Sequence, residues 1–131
     1  MNLSLTGATA LSGILVLAHI FGGGPEIHMP VLATELAPEI KAAVSVVWHG
    51  VTLVLIINTV LLLAATTNRP WGHTAAWIVV AQYGAFVVLF IAYGIIRLEN
   101  LTQLPQWIAF LLIVVLTVLG LRRTPTQGAK S

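Results

Sequence analysis

PEIKAAVSVVWHGVTLVLIINTVLLLAATT, residues 38–67, decides the fold. Between Lys41 and Arg69 the chain has no charged side chain. A helix rises ~1.5 Å per residue, so crossing ~30 Å of hydrocarbon takes about twenty apolar residues. The stretch is longer than that. Pro38 suits a first helical turn, where its missing N–H costs nothing, and Asn68-Arg69-Pro70 ends the run.

Three more segments on either side read the same way. Residues 3–23 are apolar and finish at Gly22-Gly23-Gly24-Pro25, which combines poor helix formers with a residue lacking the amide donor. Residues 71–98 form a third span. Residues 106–121 form a shorter fourth, flanked by Trp107 and by Arg122-Arg123, which suit the two interfaces. The expected fold is therefore all-α: a polytopic membrane protein, one domain over residues 1–131, built as a bundle of four transmembrane helices with a polar tail from residue 122. A longer outward loop, residues 24–37, joins the first two spans. Its Ile27, Met29, Val31, Leu32 and Leu36 suit a short interfacial helix opened by Pro30.

Composition agrees. Hydrophobic residues make up 58% of the chain and charged residues 8%, against the roughly 25% charged of a soluble domain. Cysteine is absent, which excludes disulfides, thiolate metal sites and iron–sulfur clusters. A net charge of +2 gives no footprint for nucleic acid. The glycine run lacks the Lys-Ser/Thr partner of a phosphate loop, and with no Asp in the chain there is no Ser-His-Asp arrangement. The first apolar run carries no early Lys or Arg and exceeds a typical ~7–15-residue signal core, so it reads as a retained helix.

Four spans put the N-terminus, the Arg69 turn and the tail on one side, with Arg69, Arg122, Arg123 and Lys130. The other side holds Glu26, Glu35, Glu39 and Glu99, with Lys41 and Arg97. Positive charge marks the cytoplasmic face, so both termini are expected in the cytoplasm, with the chain in an inner or plasma membrane.

Residues three, four and seven apart share a helix face, and each span has one polar face. These faces are Ala8, Ser12, Leu15 and His19; Ser45, His49, Thr52 and Thr59, with Asn58 beside them; Gln82, Phe86, Tyr93 and Arg97; and Gln106, Phe110, Ile113 and Thr117. Hydrocarbon offers polar side chains no partners, so these faces should turn inward. The outward half then collects His19, Glu26, His28 and His49, whose imidazoles and carboxylate suit a transition metal. It also collects Tyr93, Arg97 and Gln106, which would line a ligand pocket. Haem b held by His19 and His49, or a quinone-type head group, are narrower versions of the same site.

The favoured function is a membrane protein whose outward pocket binds a metal ion, haem or small redox ligand, with no reaction assigned. The alternatives are a non-catalytic accessory subunit of a larger membrane complex, and a small oligomeric transporter. The implied partners are the lipid bilayer and either a second copy or larger subunits. Cysteines substituted at Thr34 and Gln127 should react with an impermeant thiol reagent from opposite sides of the membrane; reaction of both from one side would end the four-span topology.

Overall fold

The computed structural model describes residues 2–67 and 69–123, so Asn68 and the tail expected from Thr124 to Ser131 lie outside the described residues. Helix is the only regular structure among the described residues: α1 Leu3–Leu32, α2 Pro38–Thr66, α3 Gly72–Leu98 and α4 Gln106–Arg122. The first three are long and apolar enough to cross a membrane, and α4, at 17 residues, is a shorter apolar helix. Each helix packs on the next, and α4 packs back on α1, which closes an antiparallel ring.

The first helix corrects the expected boundary at Gly23. The chain does not break at the glycines: an α-helix over Leu3–Leu17 passes into a π-helix over Ala18–His28, then into a last α-helical turn, Met29–Leu32. The longer loop shrinks to residues 33–37, and the segment expected at the interface continues α1. In the π register each N–H reaches back five residues, as Met29 N–H does to the Gly24 carbonyl. The wider turn makes room for the Pro25 ring, which in an α-helix collides with the carbonyl four residues back. Three glycines without Cβ atoms ease the widening. Continuing the helix also keeps backbone groups paired, which an apolar setting rewards.

All the large, fully buried side chains lie in the half of the bundle near the termini, among them Leu55, Leu62, Val79, Tyr83 and Ile113. Polar groups are buried there too. Ser12 Oγ lies 2.8 Å from Thr59 Oγ1 and 2.7 Å from Tyr83 Oη. Thr59 donates its one hydroxyl hydrogen to the Leu55 carbonyl at 2.9 Å, so it accepts from Ser12, and Ser12 accepts from Tyr83. One chain of hydrogen bonds thus links α1, α2 and α3. Asn58, fully buried near Tyr83, has neither amide atom in hydrogen-bond geometry with a partner.

The ends of α1 and α4 interlock. Asn2 caps α1 by accepting from Leu5 N–H at 3.2 Å, and its Nδ2 donates to the Gly120 carbonyl at 2.7 Å. Gly120 is needed for this approach, since a Cβ there would stand 2.6 Å from Leu5 Cγ. At the other end α3 stops at Glu99, in left-handed backbone at φ 52°, with Asn100 N–H returning to the Gly94 carbonyl. The Asn100 side chain accepts from Thr102 N–H and Oγ1, forming an Asx turn.

Ser12→Ala should lower the stability of the detergent-purified protein by on the order of 1–3 kcal/mol, because it leaves the Tyr83 hydroxyl buried without its acceptor. Adding Tyr83→Phe should recover part of that loss. Thermal unfolding of Ser12→Ala, Tyr83→Phe and the double variant measures the coupling, and strictly additive losses would show that the two hydroxyls do not interact.

Candidate functional site

Hydrogen bonds between α1 and α2 set the level at which their side chains meet. Ser12 pairs with Thr59, His19 with Trp48 and His28 with Ser45. His19 and His28 stand at the two ends of the π segment, and Trp48 lies opposite them on α2.

Trp48 organises this region. The His19 ring stacks on the indole with centroids 4.1 Å apart and planes 17° from parallel, and His28 is parallel to it at 5.2 Å and 1°. Gly23, between the two histidines in the chain, makes space for the indole: a Cβ there would stand 2.9 Å from Trp48 Cη2. His19 Nε2 lies 3.3 Å from the Trp48 carbonyl, and His28 Nε2 lies 3.1 Å from Ser45 Oγ. A carbonyl only accepts, so the His19 bond assigns the proton to Nε2 and leaves Nδ1 as the acceptor.

The expected metal centre finds no support. Among the described residues no group of three or more His, Cys, Asp or Glu side chains is placed to hold a metal ion. His19, Glu26, His28 and His49 are neighbours in space only in part. Both π-segment imidazoles engage Trp48 with their faces, and their Nε2 atoms already have partners. His49 meets the edge of His28 at 5.5 Å but is otherwise exposed on the outer side of α2. Haem between His19 and His49 also finds no support, because His19 lines the cleft of the structure and His49 does not.

The common space is elsewhere. Over Leu3–Leu17 the first helix packs against both α2 and α4, whereas the π segment packs on α2. The fourth helix is also about three turns shorter than α2. A cleft of about 1040 Å³ opens between the π segment, α2, α3 and the start of α4. Its floor is aromatic: Phe110 stacks with Phe86 at 5.0 Å and with Phe90 at 5.7 Å. Apolar side chains of α2, such as Ala43, Val44 and Val47, form one wall.

Polar groups on the cleft are few: His19, Glu26, Glu39, Tyr93 and Gln106. Of the residues expected to line a ligand pocket, Tyr93 and Gln106 lie on this cleft. Arg97 does not line the cleft and is exposed. Gln106 stands out because its Oε1 is buried and has no hydrogen-bond partner. Trp48 and Glu39 were not among the expected site residues. A signal for Trp48 existed, since it shares spacings of four, three and seven with Val44, Val51 and Leu55.

Gly23→Ala should displace the indole and change the near-UV circular dichroism of the protein. Gly22→Ala and Gly24→Ala, where an added Cβ meets nothing within 4 Å, should leave that spectrum unchanged. Equal spectra for all three variants would refute the stacked arrangement. Comparison of the chain with protein families, with curated proteins and with solved structures finds no match.

Proposed function

We propose that the chain is a membrane-embedded binding protein whose cleft holds a small molecule with a mostly apolar body and a hydrogen-bonding head. Three helices long enough to cross a bilayer, and bulky apolar side chains exposed around the bundle such as Phe21, Val46, Leu53 and Ile96, support insertion. Arg69, Arg122 and Arg123 at the end that carries the termini favour a cytoplasmic location for that end. The cleft then opens toward the exterior or periplasm.

The observation that carries the binding reading is the cleft itself. Its volume of about 1040 Å³ matches the upper range of small-molecule sites, roughly 300–1,000 Å³, which are apolar with a few convergent polar groups. The few polar side chains on it, among them Glu26, Glu39 and Tyr93, would meet a polar head. The second reading, packing on a larger membrane complex or on a second copy, is favoured by His49: an exposed imidazole among exposed Val46 and Leu53 gains a partner from a neighbouring helix.

N-Phenyl-1-naphthylamine, a neutral apolar fluorophore, should bind the detergent-purified full-length chain saturably above a detergent blank, with emission sensitised by Trp48. Ala43→Phe, which fills one wall, should weaken that binding by about ten-fold, a loss of ~1.4 kcal/mol. No saturable signal in the wild type would reject the cleft as a binding site.

A further inference from the structure

Building on the reading of the cleft as a small-molecule site, we infer that its ligand is a lipophilic cation, an amine or quaternary onium group carried on an apolar body. Charge is the first ground. Glu26 from the π segment and Glu39 from the first turn of α2 both line the cleft, and among the described residues no Lys or Arg does. Lys41 and Arg97 are at the same end of the bundle but lie off its lining, and neither carboxylate is neutralised by an ion pair among the described residues.

An anionic head group would meet two carboxylates, whereas a protonated amine would meet two charged acceptors.

The walls complete the selection. Phe86, Phe90 and Tyr93 present ring surface to the cleft, and aromatic faces attract a cation, most strongly when water is excluded. A small hydrated metal ion gains little from such walls, and among the described residues no three-ligand group is placed to strip its water. An onium ion with aryl or alkyl substituents uses both the acids and the rings.

Tetraphenylphosphonium and tetraphenylborate have the same shape and opposite charge, so equilibrium dialysis of the purified full-length chain against each, corrected with a detergent blank, isolates the charge term. The expected result is saturable phosphonium binding tighter than borate binding by on the order of ten-fold or more. Glu26→Gln and Glu39→Gln should each weaken phosphonium binding by a larger factor than they weaken binding of the neutral N-phenyl-1-naphthylamine. Borate binding as tight as phosphonium, or wild-type phosphonium affinity in the double Gln variant, would overturn the cationic assignment. If the neutral fluorophore binds and phosphonium does not, the cationic assignment falls and the cleft stands; if none of the three probes binds, the cleft reading falls as well. The comparison of the two ions needs only the wild type, so a variant that fails to fold does not remove the test.

Discussion

One hydroxyl chain, from Tyr83 through Ser12 and Thr59 to the Leu55 carbonyl, sets the terms for the rest of the bundle. Each of its oxygens is polar in surroundings that offer no water. Satisfying them requires α1, α2 and α3 to meet at one level and one rotation. With that level fixed, Leu62 and Val79 close the core below it, and the Asn2 to Gly120 contact brings α4 against α1. Above it, the register leads α1 to present His19 to Trp48. The packed half and the open half are consequences of the same alignment.

The π segment turns that alignment into a site. An α-helix through residues 18–28 would turn more tightly and place His19, Gly23 and His28 at different angles. The wider helix keeps all three toward α2, where Trp48 fills the space over Gly23. Helices of this kind occur mostly as single-turn bulges and often at functional sites. Here the segment runs for 11 residues. It draws the end of α1 onto α2, and the short α4 supplies no wall at that level.

Much of this was legible in residue spacing. The inward faces of α1 and α4 are those read from Ala8, Ser12, Leu15 and His19, and from Phe110, Ile113 and Thr117, because in both helices the polar stripe coincides with the small or aromatic stripe. In α2 the two differ. Thr52 donates back to the Trp48 carbonyl within its own helix, so its polarity needs no partner from another helix and says little about facing. Ser45, Asn58 and Thr59 of the polar stripe do face inward, together with Leu55 and Leu62, and this face aims Trp48 inward and His49 outward, about 100° apart on the helix. In α3 the reading chose Gln82 where Tyr83 is buried. The π-helix was not legible, since Gly-Gly-Gly-Pro is a strong stop for an α-helix and local sequence carries no clear mark of the wider register.

The unequal helix lengths have a consequence for the surrounding lipid. In a bilayer, α1 presents 30 residues along one side and α4 only 17. The apolar girdle is therefore uneven around the perimeter. Lipid beside α4 meets a belt of about 26 Å, a few ångströms below the ~30 Å hydrocarbon thickness, while lipid beside α1 to α3 meets an excess. In a bilayer, leaning of the longer helices from the membrane normal, or thinning of the leaflet along the α4 side, would reduce that mismatch. Gln106, in the first turn of α4, puts the lining of the cleft on that shorter side.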